Sequence, residues 1–220
     1  MRKFEDCEFS ILFKSSALID EEPENYLITI DWEIRCLDDR GKSSLVGKMR
    51  AFFVDIEEAA INGDGPYFVL DLEQATEPFY SVLFDARTND FKESIYDLAG
   101  EVVYSRNLLI LDRLEILPAY RGRRLGLACL YRCMQQHRHG AGLVALKCFP
   151  LQFEHRVPDS SEVKWHEKME MEGMGKVVKS CRSKLTNYYS LLGFEKVGRT
   201  EFMILNPDLV QPRLKDLNFR

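Results

Sequence analysis

Residues 108–118 read LLILDRLEILP, with apolar side chains on both alternating faces, so the strand they predict must be covered on both sides and lie centrally in a sheet. Residues 122–139 follow with helical spacing, Leu125, Ala128, Cys129 and Met134 being the buried candidates, and the pattern stops before Gly140. Residues 143–149 give a second buried strand. Strand, helix and strand in that order form a crossover unit, which sets the two strands parallel and usually right-handed.

The flanking segments can be read around this unit. Residues 26–37 (YLITIDWEIRCL) and 45–56 (LVGKMRAFFVDI) are rich in β-branched and aromatic residues and predict two strands. Residues 38–43, a polar cluster in which Gly41 can take positive φ, would join them as a hairpin. From 65 to 98 the apolar residues Phe68, Leu72, Ala75, Phe79, Leu83 and Phe84 recur at three- and four-residue intervals, predicting one or two helices divided or kinked at Pro78. Residues 150–181 are strongly charged and read as an insertion whose Met169, Met171 and Met174 either fill gaps against the core or offer a pliable binding surface. A last helix over 184–192, a turn at Gly193 and a strand over 195–205 follow, and residues beyond Pro207 read as a tail.

A chain of 220 residues with 45% hydrophobic and 30% charged residues can bury one core beneath a solvated surface, and no internal repeat divides it. The expectation is therefore one mixed α/β domain over 1–220, with an N-terminal hairpin and helices (1–106), a central unit (107–150), the insertion (151–181) and a closing helix and strand (182–205). A net charge of -5 argues against nonspecific nucleic-acid binding and mildly favours a cationic or amine substrate. Six cysteines are present without a C-x-x-C pair. Cys129 and Cys133, four apart on a helix, come nearest to a two-thiolate metal or redox pair, but apolar packing is the preferred reading and no metal is expected. The start Met1-Arg2-Lys3-Phe4-Glu5-Asp6 turns acidic at once, and no run of about 18 apolar residues could span a bilayer, so a cytoplasmic protein with no membrane partner is expected.

Chemistry concentrates between residues 114 and 127, LEILPAYRGRRLGL, where a buried strand turns into a helix. Free amides at a helix N-terminus, with about half a positive charge from the macrodipole, suit an anion, and Arg121, Arg123 and Arg124 could add charge-assisted bonds. A basic helix start that merely faces water is the competing reading. Neither the nucleotide loop G-x-x-x-x-G-K nor the dinucleotide fingerprint G-x-G-x-x-G occurs.

The window Arg121-Gly122-Arg123-Arg124-Leu125-Gly126, led in by Pro118-x-Tyr120, resembles the pyrophosphate loop of the GNAT superfamily of N-acetyltransferases, with Arg124 where the family places a glycine. A second match, Tyr189 four residues before Gly193-Phe194, resembles the end of that family's late helix. The two matches cover roughly residues 108–205. What the resemblance implies is a strongly twisted mixed sheet with helices on both faces, and transfer of an acetyl or other acyl group from acetyl-CoA to a primary amine by direct attack. The acceptor would be a small molecule or a lysine or N-terminal amine; a homodimer is compatible with this. By that alignment Leu114, Glu115 and Ile116 border the pantetheine arm, Arg121, Gly122, Arg123, Arg124, Leu125, Gly126 and Leu127 surround the diphosphate, and Tyr189 protonates the departing thiolate. Asp112 is the expected base, against the alternative of a salt bridge to an arginine, and Glu115 the second candidate. His137, His139, His155 and His166 are assigned no role. Where many members carry a cofactor-contacting asparagine, this chain has Pro150-Leu151-Gln152. A catalytically weak or inactive module that binds acyl-CoA as a sensor or interaction domain is the alternative, and an interaction protein using the Met-rich insertion a third reading.

Overall fold

The computed structural model describes residues 8–19, 23–100, 102–154, 159–209 and 211–217, so the N-terminal hexapeptide and His155 lie outside the described residues. Three strands open the chain, β1 (Glu8–Ser15), β2 (Leu27–Leu37) and β3 (Ser43–Val54). Short helices α1 (Ile56–Ile61), α2 (Pro66–Leu70) and α3 (Glu77–Leu83) precede a small hairpin, β4 (Phe84–Asp85) and β5 (Asp90–Phe91), and helix α4 (Glu93–Ala99). Then come β6 (Leu108–Ile116), α5 (Leu125–His137), β7 (Leu143–Lys147), α6 (Val163–Lys168), α7 (Val178–Ser190), β8 (Glu195–Lys196) and β9 (Phe202–Leu205).

Seven strands form one sheet in the order β1-β2-β3-β6-β7-β9-β8. All neighbours are antiparallel except β6 and β7, the parallel pair required by the crossover through α5. Alternation along β6 divides its side chains between two cores. Leu109 and Leu111 pack with Leu127, Leu130, Leu146 and Leu192 on the face covered by α5 and α7. Leu108 and Ile110 pack with Phe52, Leu83, Phe84 and Ile95 on the face covered by α1–α4. Full burial of each such side chain favours the fold by roughly 1.5–3 kcal/mol, which is why this strand lies at the centre.

Several local expectations are revised. Pro78 stands in the first turn of α3, where its missing N–H costs nothing, so it starts a helix rather than kinking one. The 65–98 stretch holds three short helices and the β4–β5 hairpin. Residues 56–61 leave β3 and turn helical as α1, whose first turn Asp55 caps by accepting the Glu58 N–H. The last helix begins at Val178, six residues ahead of the expected start. Residues after Pro207 are not a loose tail, because Leu214–Leu217 form a 3-10 turn whose Leu217 is buried against the α5 side of the sheet.

Two irregularities shape the site. Pairing between β6 and β7 runs only from Leu108 to Leu111, although β6 continues to Ile116. Opposite this, the register with β3 shifts, Arg50 facing Arg113 and Ala51 facing Leu111, so Asp112 is an extra residue bulged out of the ladder. No described helix is long and apolar enough to cross a membrane.

Candidate functional site

Where β6 and β7 part company, a cleft of about 660 Å³ opens. Its walls are residues 111–114 and Ile116 of β6, Lys147 and residues 149–152 of the chain leaving β7, the start of α5 and one side of α7. Met169, Met171 and Met174 of the insertion close it from outside. Met169 is buried and Met174 half open, so these side chains both fill space and form a binding wall.

At the α5 terminus Arg124 adopts the left-handed conformation, φ 61°, and caps the helix through its backbone. This is why a glycine would be at ease there. Its side chain turns away, Nη1 donating to the Leu217 carbonyl at 2.6 Å. Arg121 is likewise committed to the protein: Nε donates to the Ile116 carbonyl at 2.7 Å and Nη2 to the Met169 carbonyl at 2.6 Å. Burial lowers its pKa. The helix terminus adds positive potential to that of Lys147 and Lys184 in the cleft wall, since the Leu125 and Gly126 N–H groups precede the first intrahelical bond, from Ala128 N–H to the Arg124 carbonyl.

Gly126 has a reason to be glycine that lies inside the protein. A Cβ there would meet the Tyr188 hydroxyl at 2.6 Å and Leu114 Cδ2 at 3.0 Å. Tyr188 thus lies across the first turn of α5, and burial pushes its pKa up to about 12 while the nearby Leu127 amide opposes the shift. Helical geometry alone separates Tyr188 from Tyr189 by a hundred degrees, yet both line the cleft. Tyr189 sits deeper, its ring 6.4 Å from Phe194, and burial raises its pKa, so it keeps its proton.

Asp112 borders the cleft, and burial raises its carboxyl pKa, with the charges of Arg113 and Arg50 opposing. No hydrogen bond reaches it among the described residues. Among the described residues it forms no salt bridge with an arginine, the alternative role weighed for it: Arg113 pairs with Glu115 and Glu154, and Arg50 with Asp31. Glu115 does not face the cleft. Its carboxylate accepts from Arg113 Nη1 at 3.0 Å and from Trp165 Nε1 at 2.6 Å, which makes it an anchor for the insertion.

Of the residues singled out in the sequence, Asp112, Leu114, Ile116, Arg121, Gly122, Arg124, Leu125, Gly126 and Tyr189 border this space. Glu115, Arg123 and Leu127 do not, Leu127 being fully buried in the core. Cys129 and Cys133 are also buried, the first pushed up to about 12 and the second also raised, mainly by desolvation, so neither is a ready thiolate. Among the described residues no group of His, Cys, Asp and Glu could hold a metal ion.

Sequence reading gave no role to Tyr188, Lys147 or Lys184, and noted Gln152 only as a departure from the family's asparagine. Gln152 is informative, because its Nε2 donates to the Gly175 carbonyl at 3.1 Å while its Oε1 is buried without a described partner. Its position two residues beyond Pro150, in the place of the asparagine expected there, was the one available signal. No protein-family model, no curated protein and no solved structure matches this chain.

Proposed function

We propose that the chain is an acyltransferase of the GNAT kind, moving an acetyl or other acyl group from acyl-CoA to an amine within the cytoplasm. The observation that carries this reading is the cleft between the parallel strands β6 and β7, beside the amide terminus of α5. Among the described residues, 112–116 of β6 have no strand on their β7 side, so backbone groups there other than the Ile116 carbonyl, which Arg121 occupies, are open to an extended amide-bearing chain such as pantetheine. The orphaned Gln152 carbonyl supplies one further acceptor for an amide N–H. Leu125 and Gly126 amides suit a diphosphate. Arg121 and Arg124 brace the loop from behind.

The thioester supplies an activated acyl carbon. Attack by the amine nitrogen forms the C–N bond and breaks the C–S bond, and the amine proton leaves to Asp112, directly or through water. A desolvated carboxylate is a stronger base than an exposed one, and the bulge turns this one out of the ladder. Tyr189, held protonated by its surroundings, gives its proton to the sulfur, yielding the free thiol, and the phenolate recovers a proton through water as Asp112 releases the one it took.

Calorimetric unfolding with and without acetyl-CoA, combined with thiol release across polyamines, aminoglycosides, amino acids and lysine peptides, tests the reading. A raised melting temperature with amine-dependent thiol release is expected. A raised melting temperature with no release from any amine would leave an acyl-CoA-binding module, and an unmoved transition at saturating acetyl-CoA would overturn the proposal.

A further inference from the structure

A second depression, of about 400 Å³, shares α7 with the cleft as a wall, Arg182 and Thr186 lining it. Its floor is apolar, Val82 and Phe202 with the buried Cys148, and its rim carries Arg182, Lys196 and Arg199 against one carboxylate, Glu201. That carboxylate is already shared. Lys147 Nζ approaches it at 3.0 Å and Arg182 Nη2 at 2.6 Å. Lys196 and Arg199 have no ion pair among the described residues, and the buried Arg182 Nε has no acceptor among them. Although the chain carries a net charge of -5, this pocket holds more positive than negative side chains.

Lys147 and Phe149 link the cleft to the depression. Phe149 lines the cleft, the Arg182 guanidinium lies 5.4 Å from the centre of that ring, and Lys147 Nζ lies 5.6 Å from it and 5.8 Å from the Phe202 ring. An anion on the far side of Phe149 would accept from a planar guanidinium stacked on an aromatic face over an apolar floor, where water competes less.

We infer that this depression holds the carboxylate or phosphate of an anionic acceptor whose amine enters the cleft, so that the acceptors are amino acids or phosphorylated amines rather than polycations. The inference rests on the acyltransferase reading for the word acceptor, but not for the anion site itself. It reverses the mild preference for cationic substrates drawn from net charge, because a ligand responds to the local field and not to the sum over the surface.

Titration calorimetry on the full chain with inorganic phosphate and, separately, with succinate tests the site; the tighter of the two identifies the group it takes. Saturable binding that weakens with added salt is expected, reduced roughly tenfold in Arg199→Ala and in Lys196→Ala, since each loses a charge-assisted bond. Both side chains are exposed and unpaired among the described residues, so neither variant disturbs the core. In thiol release, the same variants should raise KM for anionic amines about tenfold with kcat unchanged. Absence of binding by either anion, variants that bind as tightly as the parent, or faster turnover of polyamines than of amino acids and phosphorylated amines would each overturn the inference. Anion binding that is lost in the variants while acetyl-CoA fails to bind would remove the acyltransferase reading and leave the anion site standing.

Discussion

Replacing Gly126 by alanine should destabilise the protein, and removing one oxygen atom sixty-two residues away should abolish most of the damage. A Cβ at 126 would stand 2.6 Å from the Tyr188 hydroxyl and 3.0 Å from Leu114 Cδ2, while the next Tyr188 atom, Cζ, is 3.7 Å away. The first distance is a steric overlap, the second asks a leucine methyl to give by a few tenths of an ångström, and the third is ordinary contact. Overpacking of this kind costs about 1–3 kcal/mol, and alanine in a helix returns about 0.5–1 kcal/mol relative to glycine. Gly126→Ala alone should therefore lose about 1–2 kcal/mol, a drop of roughly 2–8 °C in Tm at ~2–4 °C per kcal/mol for a chain of this size. In a Tyr188→Phe background the same substitution should be nearly neutral, giving a coupling energy of about 1–2 kcal/mol in a double-mutant cycle read by urea unfolding. Additive losses would refute the reasoning. So would a neutral Gly126→Ala that weakens acetyl-CoA binding, for then the glycine serves the ligand and not Tyr188.

Three further outcomes are expected. Tyr189→Phe should lower turnover about 10² to 10⁴-fold with unchanged acetyl-CoA affinity, measured where chemistry limits the rate. Arg124→Gly should be more stable than Arg124→Ala by about 1 kcal/mol in urea unfolding, since both lose the bond to Leu217 but only glycine is relaxed at φ 61°. Asp112→Asn should abolish amine-dependent thiol release while raising stability at pH 7. The unfolded carboxyl loses its proton first, near about 3.9, and the folded one at higher pH, so the folded state holds more protons between and stability falls as pH rises through that window. Equal stability of parent and Asp112→Asn at pH 7 would remove the burial argument for that carboxyl.

The crossover unit was legible because its strands are buried on both faces, and such runs carry their sheet position in their composition. Strand β1 was not, for its EFSILFKS lies at the sheet edge with most side chains exposed, leaving little alternation to read. Helices α2 and α3 were legible in part as apolar spacing, whereas the β4–β5 hairpin and α4 were not, and whether Pro78 divides a helix or begins one depends on where the preceding turn stops, which periodicity does not mark. At the site, the backbone loop could be read from its glycines and the helix that follows. The partners of its arginines could not: Arg121 reaches Met169 across 48 positions and Arg124 reaches Leu217 across 93. Likewise, the register shift that frees Asp112 arises from the pairing of β3 with β6, which neither strand shows alone.

The bond between Arg124 and Leu217 also has a consequence in time. During synthesis at about 5–20 residues per second, the loop at the start of α5 exists for roughly 5–20 s before the residue that braces its strained cap has been added, since 93 positions separate the two. Until then the left-handed turn at Arg124 has only its own backbone to hold it. A nascent chain, or one cut before Leu214, would carry the helix and both parallel strands yet present a slack anion loop, so ligand binding should be acquired later than the sheet.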